Sequence, residues 1–290
     1  MTQRLSQIEE QIDSVGQLSS VVAAIRGIAA ARLREGEQRL DGVQAYAEAV
    51  GLAIGEALAL VAADRAAEAS DDAPPGESAL VIALCSEQGF VGGYNSTILE
   101  AAGRLADDRR ADLIVVGDHG VMVAEERGME VSWSTPMAAH AEEANGLANR
   151  LADALYERLR EGVASAVVVH ASPDSGGKPQ VVEKTLIPFD YSRFAPGVAR
   201  NPPLLTISPQ DLLVQLAEEY VFAELCEATI VAFAAENDAR MRAMISAHEN
   251  VAHRLDGLKA TAQRRRQEEI TAEVVELAAG IEAHGSRDRP

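Results

Sequence analysis

Large rings are scarce in this chain of 290 residues: one Trp, five Tyr and five Phe make up 4% of it. That argues against a thick globular core. The apolar share, 47%, leans on alanine instead, which suits helices packed closely side by side. Cations are also few. Lys and Arg number 26 against 45 Asp and Glu, a formal net charge of -19. Broad nucleic-acid binding needs clustered cations on phosphate, and adhesion to an anionic bilayer needs the same, so both are excluded as principal roles. Cysteine occurs twice, as Cys85 and Cys226, in apolar stretches and without CxxC or Cys/His spacing. Two reduced, buried thiols in a cytoplasmic-type compartment are expected. No apolar run approaching ~20 residues is read, and Met1–Glu10 has no apolar core of a signal peptide.

Proline is absent from Met1 to Ala73 and again from Gln210 to Arg289. Because proline breaks helix interiors, both ends can be uninterrupted helices and the middle cannot. Periodicity agrees. Leu5, Ile8, Ile12, Val15, Val22, Ile25, Ala29 and Leu33 recur at helical steps, continued by Leu40, Val43, Tyr46 and Val50. Towards the other end, Val251, Leu255, Leu258, Ala262, Glu269, Glu273 and Leu277 share one heptad track, with Ile270, Val274 and Ile281 beside it. Helices of ~60 and ~75 residues would reach roughly 90–110 Å. Gly16, Gly27, Gly36 and Gly42 weaken the first helix locally and permit close approach of a neighbour.

The middle has a different grammar. Ala79–Cys85, Leu113–Gly117, Ala166–Ala171 and Val181–Phe189 are short aliphatic or β-branched runs, with helical stretches at Asn95–Asp108 and Ala138–Arg160. Such alternation predicts a small α/β layer domain with a largely parallel sheet. Asp71–Gly76 reads as the incoming linker, and Phe194–Pro209, with Pro196, Pro202, Pro203 and Pro209, as the outgoing one. The predicted fold is therefore α+β overall: a long antiparallel coiled coil of the terminal helices with an inserted small Rossmann-like domain. Its parts are 1–72, 77–195 and 207–284.

Chemistry-bearing patterns are thin. Ser86–Asn95 follows the first strand and opens a helix, so its glycines could aim backbone amides at a phosphate, and Asp118 sits where a ribose-binding acid could. The spacing is neither G-x-G-x-x-G nor G-x-x-x-x-G-K-[ST], and a structural glycine turn is preferred. His248 and His253 are five apart, a poor fit to one helix face, and H-E-x-x-H and G-x-S-x-G are lacking. No catalytic residue, metal or cofactor is expected. Arg264-Arg265-Arg266 stands out in so acidic a chain. It reads either as a solvated patch paired with Glu268 and Glu269, or as a cationic collar for an acidic partner.

Four segments carry a resemblance. They are Val21–Arg34 (VVAAIRGIAAARLR), Ser86–Asn95 with Ser86, Gly89, Gly92 and Asn95 in place, Ala235–Met244 (AENDARMRAM), and Arg266–Glu273 (RQEEITAE) followed by Gly280–Ala283. In this order they resemble the gamma subunit of F-type ATP synthase. Phe90-Val91, Ile25 and Gly27 depart from that pattern, as does Gln263-Arg264, which implies a divergent branch. The resemblance implies a non-catalytic central-stalk rotor, coupling proton or sodium translocation to ATP synthesis or hydrolysis. Its implied partners are the alpha and beta subunits, epsilon and the c-subunit ring, at the cytoplasmic face of a bacterial inner membrane. It further implies that Arg266, Gln267 and Thr271 contact the beta subunit, that Ile25, Arg240, Met241 and Met244 pack the shaft, and that Ala278, Ala279 and Gly280 form a smooth tip. From a different class, a stand-alone nucleotide-binding α/β protein with helical dimerisation arms is the alternative.

Overall fold

The computed structural model describes residues 2–64, 78–173, 180–196 and 205–285, with side chains described over 5–61 of the first segment and as far as 276 of the last. Asp71–Gly76, residues 197–204 of the outgoing linker and the side chains of Ala278 and Ala279 lie outside the described residues. The element order is α1 (Thr2–Asp64), β1 (Ser78–Leu84), α2 (Tyr94–Arg109), β2 (Asp112–Val116), α3 (Asp118–Glu126), β3 (Trp133–Thr135), α4 (Ala144–Arg160), β4 (Val163–Ser172), β5 (Gln180–Ile187) and α5 (Pro209–Gly285). The terminal helices run 63 and 77 residues, as their freedom from interior proline allows.

Two compact units divide the chain, one holding 1–27 and 242–290, the other 28–241. In the second unit the helices run antiparallel: rising numbers on α1 meet falling numbers on α5. Gly36 lies against Ala234 and Phe233, Gln44 donates to Glu227 at 3.1 Å, and Gly51 lies against Tyr220. Gly36 is where the close approach is real, because a Cβ there would meet the Ala234 Cβ at 3.1 Å. At Gly16, Gly27 and Gly42 a Cβ would meet nothing within 4 Å, so the expected crowding is confined to one of the four.

Sheet order is β3-β2-β1-β4-β5, parallel except for β5. Seven residues separate β4 from β5, too few for a parallel crossover, so the pair closes as an antiparallel ribbon. Both faces are covered, which is why β1 and β2 read as unbroken apolar runs. Leu80, Ile82, Leu84, Ile114 and Val168 pack on one side with Leu147 and Leu151 of α4 and Leu225 and Phe233 of α5. Val81, Ala83, Val115, Val167 and Val169 pack on the other with Ile98 and Leu99 of α2. The inserted domain thus takes its core partly from α5.

In the first unit the heptad track holds as far as Glu269, and the side chain of Leu277 lies outside those described. Val251, Leu255, Leu258, Ala262 and Glu269 are the half-buried positions, whereas Ile270 and Val274, beside it, are exposed. Glu273, read on the track, is exposed too. One expectation needs correction. Within Leu5–Val61 an 18-residue window of α1 reaches a mean hydropathy of 1.3, long and apolar enough by composition alone to span a bilayer. Alanine scores as apolar while adding little surface, so counting large apolar residues missed it.

Candidate contact sites and an occupied glycine loop

The loop after β1 is built by its own polar side chains. Ser86 is fully buried and its N–H donates to Asn95 Oδ1 at 2.9 Å, while Asn95 Nδ2 donates back to Ser86 Oγ at 2.9 Å. The amide also meets His119 Nδ1 at 2.7 Å. This pins the loop to the first turn of α2. Between the pins Phe90 and Gly92 take positive φ, 61° and 59°, so the chain reverses tightly and leaves the Phe90 ring exposed. Gly120 is dictated by packing: a Cβ there would overlap Cys85, so α3 can lie against the end of β1 only with glycine.

A guanidinium fills the loop. Arg240 of α5 donates through Nη2 to the Gln88 carbonyl at 3.0 Å and through Nε to the Gly89 carbonyl at 3.3 Å. Its Nη2 also reaches Glu236 Oε1 at 2.5 Å, and Nη1 reaches Asn237 Oδ1 at 3.4 Å. All three α5 side chains are buried. Burial raises the Glu236 carboxyl above its ordinary range, opposed by the Arg240 charge and by a bond from the Glu87 N–H. Two loop carbonyls aimed at a cation are the reverse of a phosphate cradle, which needs amide N–H groups. The Asp118 backbone N–H caps onto Glu87 Oε2 at 3.3 Å, and the same oxygen takes the Met137 N–H at 2.7 Å. Glu87 was missed from sequence. Its only signal was an acid placed directly after a buried strand, among glycines.

A second locked cluster joins the β5 side of the insert to α5. Glu224, 2% exposed, receives Arg193 at 2.9 Å and Lys184 at 3.4 Å, and Lys184 also reaches Glu227 at 2.9 Å. Phe194 stacks with Phe189 and meets Tyr220 edge-on, with the Arg193 guanidinium 5.5 Å from the Tyr220 ring centroid. Four of the chain's eleven aromatic residues, Phe189, Tyr191, Phe194 and Tyr220, gather here. Burial tends to raise the Glu227 carboxyl, but Lys184 and Gln44 outweigh it and hold the group below the usual carboxylate range. Among the described residues no group of three or more metal-binding side chains gathers.

The residues singled out on α5 separate into two directions. Arg266 turns to α1, pairing with Glu9 at 2.8 Å, and Arg265 pairs with Glu268 at 2.9 Å. Both pairs are exposed, and such pairs contribute only ~0–1 kcal/mol. Arg264, Gln267 and Thr271 line one outward groove with Glu268, Ala272 and Val275, so Arg265's partner Glu268 also borders it. The Thr271 hydroxyl donates to the Gln267 carbonyl at 2.8 Å. The triplet is thus partly a paired patch and partly an outward face. Among the expected shaft residues, Met244 is buried in the first unit, where Ile25 is half-buried; in the second, Arg240 serves the glycine loop and Met241 is half-buried.

Geometry defines a class: two long terminal helices carrying an α/β insert, whose glycine loop already holds an arginine of α5. Comparison with known proteins agrees. A family profile described as "ATP synthase" matches residues 4–283. The ATP synthase gamma chain of Streptomyces griseus is 30% identical over 220 residues, covering 71% of this chain and 72% of that one. The gamma chain of Frankia casuarinae is 28% identical over 99% of both. A chain from the mitochondrial ATP synthase (OSCP/F1/c-ring) of Euglena gracilis superposes with a TM-score of 0.66 at 13% identity, covering 100% of this chain and 98% of its own length, and shares the fold. The chain belongs to the ATP synthase gamma-chain family. The stand-alone nucleotide-binding reading is not favoured.

Proposed function

We propose that the chain is a non-catalytic rotor, turning within a ring of alternating alpha and beta subunits and joined through its insert to epsilon and the c-subunit ring. In this reading it couples proton or sodium passage to ATP synthesis or hydrolysis at the cytoplasmic face of a bacterial inner membrane. The observation that carries the reading is the junction between insert and α5. Arg240 and Glu236 bind the glycine loop, and Glu224 binds Lys184 and Arg193, so a twisting load on one element reaches the other through buried, charge-assisted bonds. At the other end of α5, polar groups that face outward can bias the conformational states of a neighbouring subunit. Gln267 and Thr271, which share a groove with Arg264, supply those groups in this reading. Arg266 reaches a beta loop by exchanging its exposed pair with Glu9, which costs little.

The test is a reconstituted complex carrying Arg266→Ala with Gln267→Ala. ATP hydrolysis and ion pumping are expected to fall several-fold while the thermal unfolding of the chain is unchanged. Substitutions at Arg287 or Arg289 serve as controls. Hydrolysis and pumping at the unmodified rate would remove these residues from the torque contact.

A further inference from the structure

The second unit carries a cleft that neither the glycine loop nor the outward face of α5 uses. It lies where α1, the start of α4 and α5 converge, and its volume is about 480 Å³. Val43, Phe222 and Ile230 line it together with the thiol of Cys226. Gly42 opens the α1 wall, since a Cβ built there meets nothing within 4 Å. The cleft is bounded along α1. Tyr46 stands at one end, its hydroxyl bonded to Glu219, and burial with that carboxylate pushes the phenol up to about 12. At the other end the Ala141 N–H donates to Glu35 at 3.1 Å, and Glu142 lies 3.7 Å from Arg39.

The lining is unusual for this chain. Despite a net charge of -19, no carboxylate lines the cleft, and its one charged lining residue is Arg39, with the amides of Gln38 and Asn145 nearby. An apolar interior of this size with a few convergent polar groups is what small-ligand sites share, typically about 300–1,000 Å³. The Arg39–Glu142 pair is long and both side chains are well exposed, so it competes weakly with a bound anion that meets the guanidinium at hydrogen-bond distance. We propose that this cleft binds a small amphiphilic monoanion, an aryl or alkyl body on Val43, Phe222 and Ile230 with a carboxylate or sulfonate on Arg39.

The experiment titrates the purified full chain with three probes: 8-anilinonaphthalene-1-sulfonate, laurate, and the uncharged N-phenyl-1-naphthylamine. Saturable one-site binding of both anions is expected. A Cβ at position 42 meets nothing within 4 Å and leucine suits a mid-helix position better than glycine, so Gly42→Leu should narrow the cleft and weaken all three probes by about tenfold or more while the melting temperature holds or rises. Arg39→Met should weaken the two anions by roughly tenfold and leave the neutral probe nearly unchanged. Equal binding to the Gly42→Leu variant, or no saturation, would overturn the site. An equal loss of the neutral and anionic probes in Arg39→Met would overturn the assignment of the head group.

Discussion

The two compact units spend their polar side chains in opposite ways. In the unit of residues 28–241, beside exposed pairs such as Arg39–Glu142, some charged groups go inside: Glu236 and Arg240 are buried together, and Glu224 sits 2% exposed between two cations. In the unit of residues 1–27 and 242–290, the ion pairs Arg266–Glu9 and Arg265–Glu268 lie in water, and burial is reduced to a thin seam including Val22 and Met244. Buried pairs are costly to break and fix geometry; exposed pairs are cheap to exchange. The first unit therefore relies on pairs that exchange readily, the second on pairs that fix one arrangement.

The largest effect should come from opening a buried lock. Arg240→Ala leaves Glu236 without its cation and two loop carbonyls without their donor, so urea unfolding should show a loss of about 3–5 kcal/mol. Arg240→Met with Glu236→Gln should recover part of it, because glutamine can still accept the Glu87 N–H. Should the single variant unfold like the parent, the contrast between the units would be void.

A smaller effect is expected in the seam. Met244→Ala removes one of its buried side chains and should cost about 2 kcal/mol, at the low end for Met→Ala because so thin a seam can collapse on the gap. Hydrogen exchange should place that loss in the first unit, with the glycine loop's protection unchanged. Loss of protection in both units would mean that they unfold as one, and would blunt the comparison.

The smallest effect is a pH dependence. The Glu227 carboxyl is held below the usual range, so its contribution is fully present above the ordinary carboxylate pKa of about 4.3 and is lost as pH falls through its lowered folded-state value. Glu227→Gln should flatten that acid limb by about 1 kcal/mol or less, given the partial exposure of the Lys184–Glu227 pair. An acid limb of unchanged slope in the variant would assign the dependence elsewhere.

Much of the architecture was legible because it rests on patterns of one residue type. Proline-free ends gave the two long helices, and unbroken aliphatic runs gave four strands within a few residues. The short β3 and α3 were missed: three residues around Trp133 carry no periodicity, and the valines of α3 read as strand-like. The antiparallel β5 went unremarked because strand direction lies in the length of a connection rather than in the strand itself. On α5 the heptad track matched half-buried positions up to Glu269 and failed at the exposed Glu273, and the directions of Arg264 and Arg266 were not separable, because a blurred seam leaves the helix rotation undetermined. Arg240 was named for packing, but its partners, Gln88 and Gly89, are backbone carbonyls some 150 positions away. Main-chain acceptors leave no trace in side-chain identity.

The burial of both thiols has a practical consequence. Cys85 is fully enclosed with its thiol pushed well up by desolvation, and Cys226, 3% exposed, is pushed up to about 11. At neutral pH the second would be thiolate in only roughly one molecule in ten thousand, and the thiolate is the nucleophile. Maleimide dyes therefore have almost nothing native to react with. A single cysteine introduced on an exposed position of the shaft can carry a bead, a dye or a cross-linker without first stripping the chain of its own, which makes rotation directly observable in an otherwise unaltered rotor.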